Sequence, residues 1–282
     1  MAVDHYENFP VASFLLPRRL RGAVEAIYRF ARSADDVADE GTASAKDRLR
    51  ALDAFRDMLG EMRRQHLPST PELAGLYFML LPAIDRHDLP YQPFYDLLDA
   101  FSQDVTKQRY ADHVELADYC RRSANPVGRL LLVLYRANHK VTRTESDAIC
   151  TALQLINFLQ DVAVDLDKDR IYLPQSELAR FGVREEDLFA RRATPEFRAL
   201  MAAEVARART LMLAGAPLAR RLPGRIGWEL RLIVMGGLRI LAKIEAIGYD
   251  TLNQRPVLKP VDWLRMVGGV LRYPTPPRSR QA

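Results

Sequence analysis

The stretch Gln154-Leu-Ile-Asn-Phe-Leu-Gln-Asp-Val-Ala-Val-Asp165 decides the fold class of this chain. In a helix, at about 100° per residue, four polar side chains of the stretch share one stripe: Gln154, Asn157, Asp161 and Asp165. Apolar side chains cover most of the remaining circumference, which is typical of a buried helix. The polar stripe is therefore expected to face an interior cavity instead of bulk water.

Helical spacing of apolar residues recurs along most of the chain. It predicts helices over 17–41, 47–66, 71–86, 93–110, 115–139, 145–165, 194–213 and 228–247. The alternation of β-branched residues between turns, which marks strands, is absent from the sequence. Residues 167–187 read as a loop with a short helix, and the Pro-rich tail from about 251 reads as irregular. The expected fold is all-α, in one domain over residues 1–282.

Composition narrows the class of protein. The 282 residues carry 41 Lys+Arg against 36 Asp+Glu, a net charge of +5, and a chain of this length fills an ordinary core. Its two cysteines, Cys120 and Cys150, form neither a disulfide framework nor a four-ligand zinc site. Basic clusters of this kind are usually solvated surface, so we expect no nucleic-acid partner.

Two further patterns concern location. The amino-terminal residues are acidic where a secretory signal is basic and then apolar. Charged residues interrupt the apolar stretch 230–249, which is therefore not expected to span a membrane. The expected location is the cytoplasm.

A second acidic stripe lies in the segment 28–40. Tyr28, Arg32, Asp35 and Asp39 share one helix face, with Asp36 at its edge. Like charges four residues apart repel each other, so something must compensate them. Clustered Asp and Asn oxygens are ligands suited to Mg²⁺, which binds through carboxylates and substrate phosphates. The two stripes predict a shared site for a phosphate or diphosphate ester; the alternative is a hydrated helix end paired with arginines.

Three blocks of sequence together resemble the squalene/phytoene synthase family. They are Arg32-Ser-Ala-Asp35-Asp36-Val-Ala-Asp39-Glu40, then Asp118-Tyr119-Cys120-Arg-Arg-Ser-Ala-Asn125-Pro126-Val127-Gly128, then Asn157-Phe-Leu-Gln-Asp161-Val-Ala-Val-Asp165 with Asp169-Arg170-Ile-Tyr172-Leu-Pro174 after it. Their order and separation match the family, as does His5-Tyr-Glu-Asn8-Phe9 ahead of them. The resemblance covers roughly residues 5 to 260.

The resemblance implies a helical bundle of the isoprenoid synthase type around a central apolar cavity, and a Mg²⁺-dependent class I terpenoid enzyme. The implied metal ligands, for Mg²⁺ or alternatively Mn²⁺, are Asp35, Asp36, Asp39, Asn157, Asp161 and Asp165. The implied substrate-binding residues are His5, Asn8, Tyr28, Arg32, Tyr119, Gln154, Arg170 and Tyr249. The catalytic set that the resemblance implies is Arg32, Asp35, Tyr119 and Asp161.

Within the family, the likeness is greatest to the bacterial branch of hopanoid pathways. Asn125-Pro126 stands where squalene and phytoene synthases usually carry Ala-Gly, and it predicts a kink or a freed carbonyl in the central helix. This branch implies conversion of presqualene diphosphate and water to hydroxysqualene and diphosphate, with no requirement for NADPH.

Two alternatives stay open at the level of sequence. The first is another product of the same family: presqualene diphosphate, squalene or phytoene. The second is a non-catalytic helical binding protein with acidic docking faces. The hydrophobic substrate also suggests peripheral association with the inner face of the membrane. The residues expected to make this contact are Arg19, Arg265, Arg272 and the Trp263-Leu264 neighbourhood. No oligomeric state follows from the sequence.

Overall fold

The computed structural model describes residues 16–222 and 224–269 of the chain. Within them the regular structure is helical, apart from one isolated parallel bridge between Arg109 and Ile171. The helices are α1 (Arg18–Asp39), α2 (Ala45–Arg64), α3 (Ala74–His87), α4 (Gln92–Asp104), α5 (His113–Ser123), α6 (Asn125–Leu134), α7 (Lys140–Gln160), α8 (Val162–Asp167), α9 (Gln175–Phe181), α10 (Glu185–Phe189), α11 (Pro195–Gly215), α12 (Leu218–Arg221), α13 (Arg225–Ala246) and α14 (Pro260–Gly269). The all-α fold class is confirmed.

The central helix predicted over 115–139 is two helices. α5 ends at Ser123 and α6 begins at Asn125, with Ala124 between them at φ −112° and ψ −47°. Pro126 lies in the first turn of α6, where its missing N–H leaves no helical hydrogen bond unmade. The kink that Asn125-Pro126 predicts is confirmed.

The helix predicted over 145–165 also changes direction. α7 ends at Gln160, and Asp161 has φ −106° and ψ 16°, outside the α-helical region. Backbone hydrogen bonds nevertheless continue at the helical spacing, from Asp161 N–H to the Asn157 carbonyl and from Asp165 N–H to the Asp161 carbonyl, each at 2.9 Å. The polar stripe of the sequence therefore passes through the bend.

Two predictions about chain segments are corrected, and one is confirmed. α4 ends at Asp104 and not at 110. The short helix predicted within residues 167–187 is α9, and α10 also begins there. The tail is not irregular throughout, because Pro260–Gly269 forms α14. Its Asp262 carboxylate is held 2.7 Å from both Arg239 Nε and Lys243 Nζ of α13, contacts that no local sequence pattern indicates. Among the described residues, no helix combines the length and the apolar character that crossing a membrane requires.

The chain divides into two compact units. The first comprises residues 1–107 and 118–139, and the second 108–117 and 140–282. In the first unit, the Phe30 ring of α1 meets the edges of Phe55 of α2 and Phe94 of α4, with centroids 5.8 and 5.1 Å away. These buried rings hold the acidic helix α1 against its neighbours. The prediction of a single domain stays a prediction.

In the second unit, α11 packs closely against α7. A Cβ atom added at Gly215 would lie 2.6 Å from the Glu145 carbonyl oxygen and 2.9 Å from the Ile149 nitrogen, so this approach requires glycine. Farther along α7, the Phe158 ring stacks on the Tyr172 ring, with 3.8 Å between the ring centroids. The Tyr172 ring also stacks on the Tyr110 ring, with 5.6 Å between the centroids. These contacts fix the end of α7, which carries the second set of polar residues.

Candidate active site

The first acidic row, Asp35, Asp36 and Asp39, lies near the end of α1. Arg32 supplies its compensating charge: Arg32 Nη1 lies 3.4 Å from Asp35 Oδ2, and Arg32 Nη2 lies 2.7 Å from Asp36 Oδ1. The same Nη2 donates to Glu40 Oε1 at 2.9 Å. One guanidinium group thus contacts three carboxylates, which offsets the repulsion expected along this helix face.

The Asp36 carboxyl of this row has a shifted pKa. Burial raises the pKa of the Asp36 carboxyl above its ordinary value, and the Arg32 guanidinium opposes this rise only in part. Asp36 Oδ1 is buried and makes no hydrogen bond, since its contact with Arg32 is an ion pair without hydrogen-bond geometry. A buried carboxylate oxygen of this kind suits coordination by a cation.

The second row, Asn157, Asp161 and Asp165, lies at the bend between α7 and α8. Asn157 Nδ2 donates to Asp161 Oδ2 at 2.6 Å. Arg255 Nε donates to Asp161 Oδ1 at 2.5 Å, and Arg255 Nη2 to Asp161 Oδ2 at 3.2 Å. The Asp161 carboxylate therefore already faces one positive charge.

Arg255 is a residue that the sequence did not single out. It lies in the segment between α13 and α14, and the buried Gln160 side chain fixes that segment by donating to the Pro256 carbonyl at 2.7 Å. The pair with Asp161 spans 94 positions, and no periodic spacing connects residues so far apart. Only the folded chain identifies this contact.

Tyr119 of α5 is buried, with 4% of its surface exposed, and its hydroxyl donates to Asp104 Oδ2 at 2.8 Å. Asp104, at the end of α4, is also buried, with 7% exposed. The sequence offered a signal for Asp104, because it follows Phe94, Leu97 and Phe101 at helical spacing and so occupies a position expected to be apolar.

The other predicted residues are placed as follows. Tyr28 is partly buried on α1, Gln154 is partly buried on α7, and the Arg170 N–H donates to the Asp165 carbonyl at 2.9 Å. Tyr249 follows α13 in the left-handed region, at φ 63°. His5 and Asn8 lie outside the described residues.

Each unit thus brings together part of the predicted set. The first row and the Tyr119–Asp104 pair belong to the first unit, and the second row with Arg170 and Tyr249 belongs to the second. The convergence of the two rows on one site stays a prediction.

The rows fit a divalent cation by the type of their donors. Carboxylate and amide oxygens are hard ligands of the kind Mg²⁺ prefers, and Asp36 Oδ1 is a buried oxygen without a hydrogen-bond donor. In the part of the chain that the structure describes, no three His, Cys, Asp or Glu side chains are arranged to hold a metal ion together. Arginine guanidinium groups instead contact a carboxylate in each row.

The family model described as squalene/phytoene synthase matches residues 2–262. The chain belongs to this family. Among the relatives of this squalene/phytoene synthase family member is the hydroxysqualene synthase of Sinorhizobium fredii, 34% identical over 93% of this chain and 87% of the relative. The hydroxysqualene synthase of Rhodopseudomonas palustris is 35% identical over 92% of this chain and 85% of the relative. The predicted family is confirmed.

Solved structures agree with this membership. The crystal structure of squalene synthase HpnC from Alicyclobacillus acidocaldarius has a TM-score of 0.79 and 39% identity, covering 87% of this chain and 90% of that one. A dehydrosqualene synthase structure has a TM-score of 0.76 at 23% identity, covering 92% of this chain and 88% of that one, and supports the fold alone. The squalene/phytoene synthase family member therefore has the isoprenoid-synthase-type fold that its sequence predicts.

Proposed function

We propose that this squalene/phytoene synthase family member is a hydroxysqualene synthase, which converts presqualene diphosphate and water to hydroxysqualene and diphosphate. The observation that carries the proposal is its 34% and 35% identity to two hydroxysqualene synthases, over 93% and 92% of the chain. The acidic rows and Tyr119 supply the residue types that ionisation of a prenyl diphosphate needs.

In this proposal, the two acidic rows hold Mg²⁺ or, alternatively, Mn²⁺. The residues that would hold it are Asp35, Asp36, Asp39, Asn157, Asp161 and Asp165. When bound, the ion supplies positive charge that stabilises the departing diphosphate. Arg32 and Arg170 bind phosphate oxygens, because a guanidinium group can donate two parallel hydrogen bonds to them. His5 and Asn8 are proposed to assist in this binding.

The carbon chemistry then needs a dry, shaped environment. Loss of diphosphate leaves a cyclopropylcarbinyl cation, which rearranges to an allylic cation, and water adds to that cation. Tyr119 is proposed to lie near the cation, where its ring face and oxygen favour positive charge. Tyr28, Gln154 and Tyr249 are proposed to contact the substrate. Because water ends the reaction, no hydride donor and no NADPH are required.

The bend at Asn125-Pro126 supports a product different from that of the squalene and phytoene synthases. Asn125 and Pro126 are both buried, and they begin α6 directly after the helix that carries Tyr119. A side chain larger than the Ala-Gly of those relatives changes the volume at this buried position. We propose that Asn125 and Pro126 control the position at which water attacks the cation.

A second candidate is another reaction of the same family. The phytoene synthase of Thermus thermophilus is 33% identical over 90% of this chain. Every such enzyme must ionise a diphosphate, so the acidic rows favour none of them over another. A non-catalytic binding protein, the third candidate, would release no diphosphate.

Incubation of the purified chain with presqualene diphosphate and Mg²⁺, without NADPH and in ¹⁸O-labelled water, tests the proposal. The expected products are diphosphate and hydroxysqualene that carries one ¹⁸O, detected by mass spectrometry. Squalene formed only after NADPH addition, or product formed only from other prenyl diphosphates, would select another family reaction. Absence of Mg²⁺-dependent diphosphate release with each of these substrates would select the binding protein.

We also propose that the enzyme acts in the cytoplasm, at the inner face of the membrane, because its substrate and product are lipids. Val261 and Trp263 of α14 are 49% and 47% exposed, and such residues suit the membrane interface. Co-sedimentation with anionic vesicles is expected for the wild-type chain and is expected to weaken in Trp263→Ser. Equal sedimentation of the two chains would contradict the role of this residue.

A further inference from the structure

The contact between Tyr119 and Asp104 joins two buried polar groups within the first unit. Tyr119 Oη donates to Asp104 Oδ2 at 2.8 Å, and the two residues are 4% and 7% exposed. A hydrogen bond between a hydroxyl and a carboxylate in a buried setting is stronger than one between neutral groups. It fixes the direction of the tyrosine hydroxyl.

The choice of a carboxylate at position 104 has a cost. Asp104 is the last residue of α4, where the partial negative charge of the helix end disfavours an anion, and burial of a charged group is unfavourable as well. An asparagine would also accept the Tyr119 hydrogen bond. What the carboxylate adds is the capacity to take the proton itself.

We infer that Asp104 is the terminal proton acceptor in the hydration step and acts through Tyr119. This inference rests on the proposed hydroxysqualene synthase function. Because the hydroxyl hydrogen of Tyr119 points to Asp104, the oxygen of Tyr119 can act as the acceptor for a hydrogen of the attacking water. Asp104 is thus a positioning residue and proton acceptor, while Tyr119 contacts the water.

The step balances without any further reactant. The water oxygen forms a bond to the allylic carbon, and one O–H bond of that water breaks. Its proton moves to Tyr119 Oη, and the phenolic proton of Tyr119 moves to Asp104 Oδ2. The cation, water and carboxylate become the alcohol and a carboxylic acid, whose proton returns to solvent before the next turnover.

Measurement of product composition in Asp104→Asn separates this role from ionisation. Loss of diphosphate precedes water attack, so we expect diphosphate release and KM within about threefold of wild type. General-base assistance contributes roughly 10²- to 10⁴-fold, so the ratio of hydroxysqualene to hydrocarbon products should fall at least about tenfold. Asp104→Glu should restore part of that ratio. A wild-type ratio in folded Asp104→Asn would overturn the inference.

Two further variants keep the test decisive. Asp96→Asn is the matched control, since Asp96 is a buried acid of the same helix that accepts from Gln92 at 2.9 Å, and it should leave the ratio unchanged. If Asp104→Asn does not fold, Tyr119→Phe removes the relay and keeps the ring; a wild-type ratio in that variant also overturns the inference. Wild-type chain that makes no hydroxysqualene would refute the proposed function, and the inference with it.

Discussion

Asp161 Oδ1 lies 2.5 Å from Arg255 Nε, in an ion pair that joins two residues 94 positions apart in the second unit. Asn157 binds the other oxygen of the same carboxylate. A carboxylate that is proposed to hold Mg²⁺ is thus neutralised by an arginine of the folded chain. Metal and arginine therefore compete for Asp161.

Arg255→Gln is expected to lower the Mg²⁺ concentration required for half-maximal diphosphate release. A partly exposed ion pair contributes about 1 kcal/mol, which corresponds to about a fivefold change. Titration of Mg²⁺ at saturating presqualene diphosphate measures this change in the Mg²⁺ requirement. Arg191→Gln is the matched control, because Arg191 pairs at 2.5 Å with Asp167, outside the acidic row. An unchanged Mg²⁺ requirement in Arg255→Gln would contradict the competition.

Asp161→Asn is expected to lower the turnover number by about 10²- to 10³-fold, since it removes a charge that acts in stabilising the departing diphosphate. The asparagine keeps the size of the side chain, so the melting temperature should change little. Steady-state kinetics and thermal unfolding measure the two effects. Asp167→Asn, at an exposed carboxylate, should change neither. Wild-type turnover in Asp161→Asn would refute the assignment of the second row.

Asp262 is expected to make the attachment of α14 sensitive to acid. The Lys243 ammonium and the Lys259 N–H hold the pKa of the Asp262 carboxyl well below its usual range, with Arg239 assisting. Because the folded-state pKa is depressed, this stabilisation is complete above the unfolded pKa, about 3.9, and is lost as pH falls below it.

Thermal unfolding across pH checks that expectation. At pH 7 the melting temperature of Asp262→Asn should be several degrees below wild type. The difference should shrink as the pH falls below about 4, because the unfolded chain then takes up a proton at Asp262 that the folded chain does not bind. Between pH 5 and 8 the difference should be constant. A difference that grows as the solution is acidified would show that the ion pair is not its source.

Gly215→Ala is expected to destabilise the chain by about 1–3 kcal/mol, since the added Cβ meets backbone atoms of α7 that cannot move independently. Gly22→Ala is the matched control. Gly22 lies within α1, a Cβ there would meet nothing within 4 Å, and alanine should stabilise that helix by about 0.5–1 kcal/mol. Denaturant unfolding measures both variants, and a loss of stability of similar size in both would contradict the close contact.

The local sequence predicted the helices well where the apolar periodicity agreed with the residues that begin and end helices. α1 lies within one or two residues of its predicted bounds, and Asn125-Pro126 correctly predicted a kink in the central helix, although not its division into α5 and α6. Prediction was wrong at α14, because that helix is stabilised by ion pairs from Asp262 to α13 and not by a strong local pattern. Ion pairs between distant segments leave no periodic trace in the sequence.

The same distinction between local pattern and distant contact applies to the candidate site. The sequence by itself determined the family and the polar stripes, since residues three, four and seven apart share a helix face whatever the rest of the chain does. Only the tertiary structure decided that Arg255 faces Asp161 and that Asp104 accepts from Tyr119. These partners come from separate segments, and the packing of helices, not local spacing, determines which side chains meet.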